Sequence, residues 1–244
     1  MRSSGLFFQK FPVIFTKISL VFLKPWIYDD DREIVTAQKP FQKGWTENMR
    51  KKSHISLARY IVNNMEDNDL KKHKLSFYIG SVLPDIKPSF VYKRHEMDGT
   101  YPDIRRHIER LSEGRKLVEK KKGRKYYMDL GQISHYLADY FTYPHNKIYP
   151  GSLKDHCSYE EKLKRDLRRY IRTDAAKPHK ADHLEFNSAR NLCDFIQKSH
   201  DDYLVRKHDV EDDIHHIVEV NYKAMETMIH LLAEKRAEFR LKHS

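Results

Sequence analysis

The stretch Ser134–Asn146, SHYLADYFTYPHN, sets His135 and Asp139 four residues apart and places His145 just beyond Pro144. An α-helix turns about 100° per residue, so positions i and i+4 share a face. His135 and Asp139 therefore point the same way, and His156 and Glu160 repeat the arrangement in HCSYE. An imidazole and a carboxylate at this spacing can chelate one cation or hold two adjacent ones. On a charged helix such a pair is ordinarily a surface contact worth a few tenths of a kcal/mol. The helix around His135 differs, because its neighbours are apolar and a buried His and Asp need partners. A shared metal satisfies both, and so does a hydrogen bond between them. His145 lies past the helix end, so it cannot share the face of His135, but it can face a second metal beside the first.

Upstream, His54 opens a helical pattern, Asp85 sits in GSVLPD and His95 in KRHE. Singly these are a cap neighbour, a turn residue and a loop histidine. Together with the downstream residues they make a mixed nitrogen and oxygen set that suits zinc, with manganese or iron as alternatives.

Helices must carry these side chains. The chain has only 8 Gly and 9 Pro, and helix formers abound, which favours an all-α fold over a sandwich or barrel. Ser53 is a fair N-cap, and Ile55, Leu57, Ala58, Ile61 and Val62 recur at helical spacing after it. A second helix is expected from Asp69 to about Ile79. Gly80, Pro84 and Pro88 then predict a break, with Asp85 on a loop that continues through VYKRHEMDGTYPD. Further helices are expected over 102–120, 125–141, 159–172, 184–206 and 210–240. EKKKGRK forms a basic turn around Gly123, and TDAAKPHKAD is a linker. The expectation is a compact multi-helix bundle with a metal cluster in a cleft between helices.

Residues 1–48 read as a poorly structured N-terminal extension ahead of a helical domain at 49–244. Their apolar stretches are interrupted by Lys10, Lys17 and Lys24, too often for a membrane span of about 18 apolar residues. No small-x-small cleavage site follows. KGWTEN before Met49 is what a purine-rich ribosome-binding site gives when read as codons, so translation is expected to start at Met49. A weak interfacial anchor is the competing reading. A cytoplasmic or peripheral membrane location is expected over secretion.

Five segments in order resemble the zinc-dependent phospholipase C family of bacteria, including the clostridial alpha-toxin type. They are the early His54 in a helix, GSVLPD with Asp85, His95 some ten residues on, GQISHYLADYFTYPH, and HCSYE. The resemblance runs from about residue 53 to 161. It implies an all-α bundle with two or three zinc ions in a cleft. Asp85, His95, His135 and Asp139 would hold one zinc. His145, His156 and Glu160 would hold a second. His54 and a bridging Asp139 would hold a third, which in the family is completed by the backbone of an N-terminal Trp. Trp45 lies nine residues before His54 but is not the chain terminus. The chain also ends in a helical pattern rather than the membrane-binding β-domain of the toxin type.

The resemblance implies a phosphoester hydrolase that cleaves phospholipid head groups. Asp85 is the residue expected to orient or deprotonate the attacking water. Two rival readings are a single-strand nuclease and a non-catalytic, metal-stabilised module that binds membranes or phosphates. The net charge of +11 attracts phosphate in any form, including an anionic membrane surface, and leaves nucleic acid open. Tyr92, Tyr101, Tyr126 and Tyr127 could stack bases, meet lipid or simply pack. No protein partner is predicted. His179 and His183 lie in a polar linker and read as surface residues, and His215 and His216 lack ligand spacing. There is no GxxxxGK[ST], GxGxxG or HExxH motif. Cys157 and Cys193 make no disulfide framework and are expected as simple thiols.

Overall fold

The computed structural model describes residues 44–86, 95–113, 123–178 and 186–243. Among them there is no strand. The α-helices are α1 (Gly44–Asn64), α2 (Asn68–Lys72), α3 (Lys74–Ile86), α4 (Met97–Ser112), α5 (Gly123–Tyr140), α6 (Leu153–Tyr170), α7 (Ala189–Leu204) and α8 (Val210–His243). Among the described residues there are also two short 3-10 turns, Tyr143–His145 and Asp174–Ala176. The fold is all-α, as composition and periodicity lead one to expect.

The most extensive helix pair is α3 against α5. At their crossing a Cβ on Gly80 would fall on the Met128 carbonyl, and a Cβ on Gly131 on the Phe77 carbonyl. Glycine in a helix costs about 0.5–1 kcal/mol relative to alanine, yet it alone lets two backbones come this close. Gly80 is therefore a packing residue and not a breaker. The expected loop at Asp85 is accordingly wrong. Pro84 stands third from the end of α3, where only the bond to the Gly80 carbonyl is lost, and Asp85 is buried on the helix.

Other boundaries shift for local reasons. α4 starts at Met97 and not at Pro102. The donor that Pro102 lacks leaves the Asp98 carbonyl open on a side where both residues are exposed. α6 starts at Leu153 rather than 159, because Ser152 and Asp155 form a capping box: the Asp155 amide donates to the Ser152 hydroxyl and the Ser152 amide donates to Asp155 Oδ2 at 2.9 Å. Ser188 caps α7 at Ala189, after the expected start at 184.

α8, 34 residues long, touches α1, α4, α5, α6 and α7 and so binds the bundle together. Tyr126 on α5 donates to the Met228 carbonyl at 2.9 Å, and Ser134 donates to Asn221 Oδ1 at 2.8 Å. Tyr101, Tyr126 and Tyr127 are buried packing residues. They offer no platform for bases. Cys157 and Cys193 are buried free thiols. No helix among the described residues is long and apolar enough to cross a membrane.

α1 begins at Gly44, so Met49 lies inside a helix and residues 44–48 are helical where a poorly structured extension is expected. A start of translation at Met49 stands as a proposal, tested by mass spectrometry of the native N-terminal peptide. Tyr92, Pro88, most of EKKKGRK, His179 and His183 lie outside the described residues.

Candidate metal centre

His135 on α5 sits at the middle of the site with no exposed surface. Its Nδ1 donates to the Ser81 carbonyl on α3 at 2.9 Å. A carbonyl only accepts, so Nδ1 carries a proton and Nε2 faces inward, the nitrogen that a metal would take once its own proton is displaced. Around Nε2 stand His95 Nδ1 at 3.1 Å, Asp139 Oδ2 at 3.2 Å and Asp85 Oδ1 at 3.6 Å. His95 Nδ1 is 2.8 Å from Asp139 Oδ2 and 4.0 Å from Asp85 Oδ1. Ligands at 2.0–2.1 Å around a tetrahedral ion lie about 3.3 Å from one another, so these separations bracket that value.

Asp139 uses its other oxygen differently. Oδ1 is 3.3 Å from His54 Nε2 on α1 and 3.5 Å from His145 Nδ1 in the 3-10 turn. His145 Nε2 in turn lies 3.1 Å from Glu160 Oε1, which is 2.8 Å from His156 Nε2 on α6. Three groups result, the first two sharing His135: His54, His135 and Asp139; Asp85, His95 and His135; His145, His156 and Glu160. Every sequence-predicted ligand falls in one of them. Beside the site is a small cleft lined by Ser53, His54 and Leu57 of α1, Asp139 of α5, and Glu160, Leu163 and Leu167 of α6.

Trp45 does not join them. It lies in the same continuous helix as His54, nine residues earlier, which is about 13 Å along the axis. Its backbone cannot complete a position beside His54 in this arrangement.

The electrostatics favour positive charge. Burial pushes the Asp139 carboxyl up, but His145 and His135 outweigh it and hold it well below the usual range. Burial works against protonated His145, yet Asp139 and Glu160 raise its pKa to about 10. His135 is raised in the same way, by Asp139 and Asp85 against burial. His54 is lowered by burial and by the charge of His135. Protons answer the field of the carboxylates here, and a divalent cation would answer it better. Asp85 Oδ2 is buried without a hydrogen-bond partner, as a carboxylate oxygen awaiting a ligand would be. Nitrogen and oxygen donors at these distances fit zinc.

Sequence reasoning missed the residues that hold the ligands. Ser81 orients His135 by a carbonyl, which no side chain announces. Asp213, buried on α8, accepts from the Tyr143 amide at 2.8 Å, Tyr159 Oη at 2.9 Å and Tyr203 Oη at 2.7 Å. Tyr143 opens the turn that carries His145, and Tyr159 adjoins Glu160. The signal was present: Asp213 interrupts the apolar positions Val210, Ile217 and Val220 of α8.

A family model described as zinc dependent phospholipase C matches residues 53–210, a span holding all eight candidate ligands. No curated protein and no solved structure matches the chain.

Proposed function

The chain belongs to the zinc-dependent phospholipase C family, and from that premise we propose that it is a phosphodiesterase cleaving phospholipids to diacylglycerol and a phosphorylated head group. The observation that carries this reading is the convergence of eight His, Asp and Glu side chains from five segments on three adjoining groups, of which His54, Asp139, His145 and Glu160 line a cleft.

Asp85, His95, His135 and Asp139 would hold one zinc, and His145, His156 and Glu160 another, with His54 and Asp139 Oδ1 marking a third position. Zinc there would supply a Lewis acid for the non-bridging phosphate oxygens and lower the pKa of water within reach. Asp85 is the proposed base: its unpartnered Oδ2 can orient the attacking water and accept its proton. The water oxygen bonds to phosphorus, the bond from phosphorus to the glycerol oxygen breaks, and a proton goes to that leaving oxygen. Ser81 keeps the His135 ring in one tautomer throughout, and α3 behind it excludes water.

The test is zinc content by plasma mass spectrometry together with diacylglycerol release from short-chain phospholipids. Two or more zinc per chain with turnover supports the reading. A chain that takes up no zinc when it is offered, and turns over no diester, sinks it.

A further inference from the structure

We propose that Lys164 and Arg168, facing Lys52 across the α1–α6 packing, form a subsite for a phosphate dianion beside the metal cleft, so that the preferred diester carries a second phosphate on its head group. The inference deepens the hydrolase reading and rests on it for the word diester.

The geometry begins at Ser56. Its hydroxyl donates to the Lys52 carbonyl at 2.9 Å and accepts from Arg168 Nε at 3.2 Å, which ties Arg168 of α6 against α1. Lys52 stands one turn before Ser56, and Lys164 one turn before Arg168, so all three cations lie along one seam. That seam runs into the site. Ser53 and His54, next to Lys52, line the cleft together with Leu163 and Leu167, the neighbours of Lys164 and Arg168. Glu160 is one turn before Lys164, about 6 Å along the helix.

Lys164 is crowded by like charge. Burial and the nearby charges of Lys52, Arg168 and Arg165 hold the Lys164 ammonium below its usual pKa, against the pull of Glu161. The other acid here, Asp166, meets Arg165 at 3.4 Å and Arg169 at 3.7 Å. Among the described residues no carboxylate comes within ion-pair distance of Lys164 or Arg168. A phosphate dianion suits them: guanidinium offers paired donors to two oxygens and ammonium a compact charge. A choline head group would instead set a quaternary ammonium against Lys164 and Arg168.

The test uses the zinc-loaded full chain and two monomeric substrates, dihexanoyl phosphatidylinositol 4-phosphate and dihexanoyl phosphatidylcholine. Expected is a kcat/KM ratio of about tenfold or more for the phosphorylated lipid, falling toward unity through KM in the Lys164→Met/Arg168→Gln variant. Lys164→Met removes a charge that burial already disfavours, and Arg168→Gln keeps an amide for Ser56; circular dichroism checks the fold. Preference for the choline lipid, or a ratio the variant does not move, overturns the proposal. Calorimetry with myo-inositol 1,4-bisphosphate and with inorganic phosphate needs no turnover. Bisphosphate binding that weakens in the variant, with inorganic phosphate far weaker, assigns the subsite to a head group. Equal binding of the two, equally weakened, assigns it to free phosphate. Binding of both unchanged in the variant rejects the subsite. If no diester is turned over but binding still depends on Lys164 and Arg168, the hydrolase reading fails and the subsite stands.

Discussion

The site has two halves built by different means. Asp85, His135 and Asp139 project from the interiors of α3 and α5, with His54 on α1, and all four are buried. Their backbones are locked by the Gly80–Gly131 approach, which leaves no room for adjustment. His145, His156 and Glu160 come from a 3-10 turn and the first turns of α6, and the His145 and His156 side chains are 10% and 19% exposed. Nothing comparable to the glycine seam supports them. Their register depends on Asp213, reached through Tyr143 and Tyr159. The deep half is thus preorganised by packing, and the outer half by a hydrogen-bonded carboxylate on a distant helix. Under the proposed function, an ion in the first would be held by rigid donors and an ion in the second by donors with more freedom to move.

The sharpest way to break this contrast is His135→Ala. Zinc of the deep half and diester turnover should be lost together, read by metal analysis and a product assay; surviving turnover would mean the chemistry lies elsewhere. Gly131→Ala should cost about 3 kcal/mol of stability, because the Phe77 carbonyl cannot retreat; chemical denaturation of the metal-free protein reads it, and a neutral result would remove the packing argument. Glu160→Gln should cost one equivalent of zinc and about a hundredfold in turnover, with the deep half still loaded. Loss of all zinc would show the halves to be one unit.

Asp213 gives the two finer tests. Burial raises its pKa from 3.8 to about 6, against the donors from Tyr143, Tyr203 and Tyr159. The native state therefore holds its proton over a pH range where the unfolded chain has lost it. Stability from this group is present below about pH 4 and is lost as pH rises through 6. Relative to Asp213→Asn, the wild type should lose about 2 kcal/mol between pH 4 and pH 7; a flat difference in denaturant midpoints would mean that Asp213 does not titrate there. At pH 7 the same variant should bind the outer zinc about tenfold more weakly and the deep zinc unchanged. Equal weakening of both, by competition with a chelator, would erase the distinction between the halves.

Most of this was legible in the sequence, and the failures are instructive. His135 with Asp139, and His156 with Glu160, are visible because helical spacing dictates a shared face. Asp85 joins His95 and His135 from a helix where a loop is expected: glycine and proline read locally as breakers, whereas Gly80 serves a partner helix that only the folded chain brings near. The start of α6 was missed although Ser152 and Asp155 spell a capping box. Ser81 acts through its backbone and leaves no trace in its side chain. The pairing of Lys164 with Lys52 and Arg168 depends on how α1 lies against α6, which no local pattern encodes.

The bond from His135 to Ser81 has a further use. A ring proton held on Nδ1, on a side chain without exposed surface, cannot trade with solvent until α3 and α5 part. It should therefore persist as a slowly exchanging imidazole resonance in proton NMR. Its lifetime in heavy water would report the free energy of opening the helix pair directly, with no substrate and no denaturant present.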